Sequence, residues 1–364
     1  MPVRSFEPIN PATDVAITRT FLHEVLPLTG TIVSGTYGTW PNGNNIKNYT
    51  HGMFQSVYDY PYLSSSSNHI FDLTVGFADK SVLSSSTNTQ NAKKINMYTQ
   101  HAQVLLGYSS SANQVRLFEN DLRLDQVGKM ASVFIVDFSR LLCKDEIKKN
   151  SFSMQIGTGS VWKTPFGSKV KTLQDSLARV NGAGVNNVDG GDYAVLYDKA
   201  NPGPNEKGYG VVFYQAGIAV ISCSVFQNGL SGAKAPIANF YKEGKKGGVY
   251  KNVRQTLQSS SISGACDALR HRIKNISFNN TTEINSTVYF CRAPVNKFNY
   301  SSNPTYVTGS KIRVKNVASD NPVAYVTTVG LYNSQNELLA VAKLSEPLKK
   351  SVDNELTVRV RLDY

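Results

Sequence analysis

Charge is scarce in this sequence. Charged side chains make up 18% of its 364 residues, below the quarter or so of an ordinary soluble domain. Ser, Thr and Asn fill the deficit. Their uncharged groups cost less to desolvate than ions, so such a surface suits broad, hydrogen-bonded contacts. Cysteine is scarce as well: Cys143, Cys223, Cys266 and Cys291 include no C-x-x-C pair, which excludes the signature of a zinc ribbon or a thioredoxin-type site. Four thiols in so long a chain do not make a disulfide scaffold, and buried free thiols are expected. Residues 1–20 lack the apolar core of a signal peptide. No internal repeat of fixed period runs through the chain. One further lack is local, for residues 208–233 carry no charge at all. Repeated Gly, Gln215, Asn228 and many β-branched residues argue against a membrane helix there, and no membrane partner is expected. Two buried strands meeting at Gln215-Ala216-Gly217 fit better.

What is present can build a core. Hydrophobic residues reach 41%, and the length permits two or three domains. Lys and Arg outnumber Asp and Glu by 38 to 26, a formal charge of +12. The densest basic stretch is Lys242, Lys245, Lys246, Lys251 and Arg254, interleaved with Tyr241 and Tyr250. A phosphate-binding loop is one reading and docking onto acidic partner subunits is another. A solvated linker is the blander one, given Gly244, Gly247 and Gly248. No recognition helix or stacking platform accompanies the charges, so nucleic acid is not expected as a partner.

The pattern along the chain reads as mainly β: antiparallel β-sandwich domains with an inserted helix and an extended N-terminal arm. Residues 1–30 form the arm, punctuated by Pro2, Pro8, Pro11 and Pro27. Residues 31–226 read as a β-rich domain, opening on a loop-rich stretch with a turn at Trp40-Pro41-Asn42-Gly43-Asn44. Strands are expected at 70–77, 132–137, 193–197 and 211–226. The helix is expected over 89–106, because Ile95, Tyr98, Ala102, Leu105 and Leu106 share one face and Gly107 follows. A second, short helix is expected near 139–149, where Asp145 and Glu146 precede Lys148 and Lys149. Residues 170–180 fit either a helix or a strand. Residues 227–262, rich in Gly, Ser and Lys, read as a linker or insertion. Residues 263–364 read as a C-terminal β-sandwich, with strands at 287–292, 311–317, 324–332 and 338–344. Its last strand alternates Leu356, Val358, Val360 and Leu362 with Thr357, Arg359, Arg361 and Asp363.

Several stretches imitate catalytic or binding motifs. Residues 157–164 resemble a phosphate loop, but Trp162 stands where glycine is needed. Gly229-Leu230-Ser231-Gly232-Ala233 resembles a nucleophile elbow, with Asn228 before it and Pro236 after it in place of a strand and a helix. His23-Glu24 lacks the second histidine of a zinc protease. Asp189, Asp192 and Asp198 surround the Gly190-Gly191 turn without the spacing of a calcium loop. His51, His69, His101 and His271 have no ligand-spaced neighbour. No catalytic residue, metal ligand or cofactor is therefore assigned, and an enzyme is not expected. Tyrosines are the more telling feature. Tyr58, Tyr60 and Tyr62 flank Pro61, while Phe298, Tyr300 and Tyr306 mark a second aromatic, Pro-containing loop. Tyr joins a rigid apolar body to a polar tip, which suits subunit contact, stacking on a sugar or plain loop packing.

Longer strings carry a family resemblance. They are Asn68-His69-Ile70-Phe71-Asp72-Leu73, Gln90-Asn91-Ala92-Lys93-Lys94-Ile95-Asn96-Met97-Tyr98, Tyr289-Phe290-Cys291-Arg292, and Phe298 through Thr305. Further on come Thr328-Val329-Gly330-Leu331-Tyr332, the run from Glu337 to Leu344, and the terminal Arg359-Val360-Arg361-Leu362-Asp363-Tyr364. The chain resembles virion structural proteins of T-even-type contractile-tailed bacteriophages, those infecting cyanobacteria in particular. The resemblance implies a bacteriophage virion protein of the tail or baseplate region, assembled in the host cytoplasm. Its partners would be other virion proteins, in a homo-oligomer or ring. A receptor- or glycan-binding tail-tip protein and a neck or head-associated protein are the alternatives. The family implies no catalytic residues.

Overall fold

The computed structural model describes residues 6–28, 43–85, 89–109, 114–125, 127–162, 164–167, 169–178, 184–203, 206–226, 240–242, 250–301, 307–308, 311–312 and 321–364. The chain is mainly β, and its named strand pairs are antiparallel. In chain order the first elements are β1 (Val15–Pro27), β2 (Ile46–Asn48), β3 (Gln55–Tyr58), β4 (His69–Phe77) and helix α1 (Thr89–Leu106). Next come β5 (Ser132–Phe138), α2 (Arg140–Cys143), β6 (Glu146–Ile147), β7 (Ser153–Gly157), β8 (Val170–Gln174), β9 (Val185–Val188) and β10 (Gly191–Asp198). β11 (Gly210–Phe213), β12 (Ile218–Ser222), β13 (Tyr241–Lys242), β14 (Tyr250–Lys251), α3 (Val253–Ser259) and α4 (Ile262–Arg270) follow. The last are β15 (Ile273–Ala293), β16 (Val307–Thr308), β17 (Lys311–Ile312), β18 (Val323–Tyr332), β19 (Leu338–Ser351) and β20 (Leu356–Asp363). The chain divides into two compact units, Leu22–Thr282, and Met1–Phe21 with Glu283–Tyr364.

The larger unit is built on the strand order β15-β7-β8-β10-β11-β12-β5-β4-β3-β2. β10 pairs with β11 over Tyr193–Leu196 but with β8 only at Tyr197 and Asp198, so the sheet turns there. The turn brings two layers face to face. Met154, Ile156, Ile273, Ile276 and Phe278 from β7 and β15 share one core with Phe71, Leu73, Phe134, Val136 and Phe138 from β4 and β5. Phe138 touches Phe278 and Phe152 across that core, at 5.1 and 5.9 Å between ring centroids. The opposite face of β5, β10, β11 and β12 packs under Tyr98, Ala102, Leu105 and Leu106 of α1. α1 spans the predicted residues, and Gly107 closes it with φ +69°. The charge-free run is the two expected strands, β11 and β12, turning at Gly217 with φ +68°. Val212, Ala219 and Ile221 enter the first core and Val211, Phe213 and Val220 the second. Both faces of these strands are dry, which leaves no room for charge.

Three local readings need correction or completion. The second helix stops at Cys143, since Lys144 takes φ +58° and the amides of Asp145, Ile147 and Lys148 donate to Thr281, Tyr214 and Asn279. Tertiary pairing overrides the helical spacing there, and Lys149 pairs with Asp192 at 2.5 Å rather than along a helix. The ambiguous 170–180 stretch holds a strand, β8. Finally, α3 and the start of α4 occupy the end of the segment read as a linker. Asn252 and Gln255 form a reciprocal capping box at the α3 entry.

In the smaller unit, the end of β15 pairs with β20 from Ser286↔Asp363 to Ala293↔Leu356. The predicted alternation of β20 is present, with Val360 buried and Arg359 and Arg361 exposed. β18 and β19 form a hairpin around Asn333–Glu337, and no third strand joins it among the described residues. Its inner face carries the buried Ala324 and Leu331.

Candidate functional site: tyrosine rim and exposed strands

Asp59 organises the first aromatic loop. Its Oδ1 accepts from the amides of Tyr60 and Asn68, at 2.8 and 2.6 Å, and its Oδ2 accepts from Asn68 Nδ2. The Tyr62 amide donates to Asn44 O. The loop from 60 to 67 is thus closed at its base before any ligand arrives, which lowers the ordering cost of binding. Tyr60 and Tyr62 are exposed at its tip, and Tyr58 is half-buried at the end of β3. The Tyr58 ring lies 6.4 Å from Tyr62 and 5.5 Å from His69.

A polar cluster lies beside this rim. Asp72 on β4 takes hydrogen bonds from Ser56 Oγ and from His69 Nε2, the latter at 2.8 Å. Ser56 Oγ also meets Tyr49 Oη at 3.2 Å. Asp137 stands directly opposite Asp72 on β5. Burial and the Asp72 charge push Asp137 up to about 6. The hydrogen bond to Asp72 raises the His69 imidazole, while burial and then Tyr49 raise the Tyr58 phenol. The order here is serine–carboxylate–histidine. The histidine faces the acid rather than the hydroxyl, so it has no path to remove the Ser56 proton, and the cluster is not a nucleophile triad. It is equipped to accept hydrogen bonds beside aromatic faces.

Phe298 and Tyr300 belong to the smaller unit. The Lys350 ammonium, fully buried, donates to Asn299 Oδ1 at 2.6 Å and to the carbonyls of Val295 and Ser351. That anchor holds the loop between the two aromatic residues, and Tyr300 is 67% exposed. Tyr306 lies outside the described residues. On the hairpin, Tyr325, Tyr332, Leu338, Leu339 and Val341 are all exposed. In β1, Ile17 and Phe21 share an exposed face two strand repeats apart. Sequence reasoning missed the hairpin surface, although the unbroken apolar run over 338–342 at the start of β19 was there to be read.

The look-alikes at 157–159, at 189–198 and at His23 lie among the described residues. In residues 157–159, the amides of Gly157, Thr158 and Gly159 donate to Arg272 O, Lys169 O and Pro165 O, so none is turned toward a phosphate. Asp192 binds Lys149 and Asn187, Asp198 pairs with Lys171, and Asp189 approaches Gly107, so the three acids do not converge. His23 lies on a strand and meets Thr281. No cluster of metal-ligating side chains occurs among the described residues, and none of their helices is long and apolar enough to cross a membrane. Ser231, Lys245 and Lys246 lie outside the described residues. Cys143, Cys223 and Cys266 are buried thiols and Cys291 is half-buried. Comparisons with family models, curated proteins and solved structures find no match to this chain.

Proposed function

We propose that this chain is a structural subunit of a bacteriophage virion, of the tail or baseplate region, and works through subunit–subunit contacts. The observation that carries the reading is the β18–β19 hairpin, two-stranded and exposing Tyr325, Tyr332, Leu338, Leu339 and Val341. An isolated two-stranded hairpin is marginal in water. Covering Leu338, Leu339 and Val341 is worth ~1.5–3 kcal/mol for each side chain fully buried, and repetition around a ring multiplies modest contacts. The anchored Phe298–Tyr300 loop adds a preformed aromatic contact, and the strings quoted above supply the resemblance. Mass spectrometry of purified particles, with copy number, tests the proposal. The expected result is a defined multiple of copies per particle, and absence from particles overturns it.

The tyrosine rim favours a second reading, a receptor- or glycan-binding protein at the tail tip. Tyr58, Tyr62 and the Asp72–Asp137 pair offer a stacking face beside hydrogen-bond acceptors. Adsorption of the purified protein to host cells, abolished by Tyr62→Ala with the fold intact, is the expected outcome. Binding that survives the substitution removes this reading.

A further inference from the structure

Arg272 lies between α4 and β15 in the larger unit and is fully buried. Its Nη1 donates to the carbonyls of Gly157 and Gly159, at 3.0 and 2.8 Å. The Phe240 ring lies 4.9 Å from the guanidinium carbon and the Phe226 ring 6.0 Å. Both contacts leave the other edge of the group unused. Nε and Nη2 are buried and have no hydrogen-bond acceptor among the described residues. No described carboxylate stands within ion-pair distance of Arg272, whereas its neighbour Arg270, equally buried, has Asp267 at 2.6 Å.

This arrangement is incomplete on two counts. Buried donors without acceptors cost free energy, and a buried cation without an anion costs more. Ring faces attract the cation but accept nothing from its edge N–H groups. A trapped water would satisfy donors and leave the charge uncompensated. Nε and Nη2 project side by side, the two-pronged geometry that matches two oxygens of a carboxylate or phosphate.

We propose that the Nε–Nη2 edge of Arg272 is a binding site for one small oxyanion, a phosphate or a carboxylate, held inside the fold of residues 22–282. The site is independent of the assembly reading. It also differs from the imitated phosphate loop, whose glycines face Arg272 with their carbonyls instead of facing an anion with their amides.

The test uses the full chain, exhaustively dialysed into sodium chloride. Sodium phosphate or sodium acetate then replaces chloride at constant ionic strength. The melting temperature is expected to rise by about 2 °C for each tenfold excess over Kd. Alternatively, a tightly held anion is recovered by ion chromatography of the denatured protein at about one equivalent. Response to phosphate alone, acetate alone or both identifies the source within the class. Arg272→Lys keeps the charge and loses the fork, so it should fold and lose at least tenfold in anion affinity. Arg272→Met should abolish the response, and if it fails to fold the lysine variant decides. Two results overturn the site: a wild-type protein with neither bound anion nor anion-dependent melting, or a shift that persists undiminished in Arg272→Lys.

Discussion

Gly76 is where α1 seats on the sheet, and replacing it with alanine isolates that seat. A Cβ on Gly76 would stand 2.8 Å from each of Lys94 O, Tyr98 N and Tyr98 Cβ. Two of these are helix backbone atoms, which no rotamer change can move aside. Ordinary contact begins near 3.4 Å, so α1 must lift by about 0.6 Å, the difference between those distances. The lift strains what α1 holds. Tyr98 Oη donates to Met130 O and accepts from the Phe118 amide, both at 3.0 Å, and Lys94 Nζ donates to Leu257 O and Ser260 O at 2.6 Å. Overpacking of this kind costs ~1–3 kcal/mol. The opposing effect is smaller: alanine removes freedom from the unfolded chain and returns ~0.4–1 kcal/mol. Gly76 lacks a positive φ, so backbone strain adds nothing. The expected net loss is therefore roughly 1 kcal/mol. Urea unfolding of the full chain should show a lower midpoint with an unchanged slope. Gly167→Ala is the control, because a Cβ there meets nothing within 4 Å, and its stability should hold or rise slightly. If Gly76→Ala is as stable as Gly167→Ala, the close seating of α1 is refuted.

Three further outcomes follow from the same contacts. Burial pushes the Asp175 carboxyl up to about 6 despite hydrogen bonds from Tyr214 Oη and from the amides of Asn150 and Phe152. Folding thus favours its protonated form, and this contribution is full below about pH 4 and lost as pH rises through about 6, up to ~3 kcal/mol; urea titrations should show a shallower fall over that window in Asp175→Asn. Burial pushes the Cys143 and Cys223 thiols up to about 12 and raises Cys266 as well, so iodoacetamide should label native protein at half-buried Cys291 first, and mass spectrometry showing equal labelling at all four sites would contradict this packing. Leu339 is 68% exposed, so Leu339→Lys should leave monomer stability within ~0.5 kcal/mol while weakening assembly at least tenfold, and unchanged sedimentation of assembled protein would count against the hairpin as a contact surface.

The fold was legible wherever a residue's environment depends on its own neighbours in sequence. α1 declared itself because Tyr98, Ala102, Leu105 and Leu106 recur at helical spacing and one dry face takes them all. β20 declared itself by period two. β11 and β12 were readable from missing charge, since both their faces are covered. The 139–149 stretch misled because its helical charge order is local, whereas the amides of Asp145 and Lys148 are claimed by carbonyls more than a hundred residues away. Single-sequence patterning contains no information about that pairing.

Buried cations mark the deeper limit. Nothing in the local sequence marks Lys94 and Lys350 as buried, yet both are fully buried and bound to carbonyls at element ends. Lys94 Nζ donates to Leu257 O and Ser260 O, where α3 leaves carbonyls without helical partners and a positive charge is favoured. The Lys350 ammonium does the same for a loop. Satisfying an ammonium this way needs three oxygens at most, and backbone supplies them without any sequence signature. Arg272 follows the rule only in part. Two glycine carbonyls serve one nitrogen, and a guanidinium has five N–H groups to place. A lysine ammonium there would have one N–H group left to place beyond the two glycine carbonyls, whereas arginine leaves the whole Nε–Nη2 edge open. That open planar edge is what turns a packing detail into an argument for a ligand.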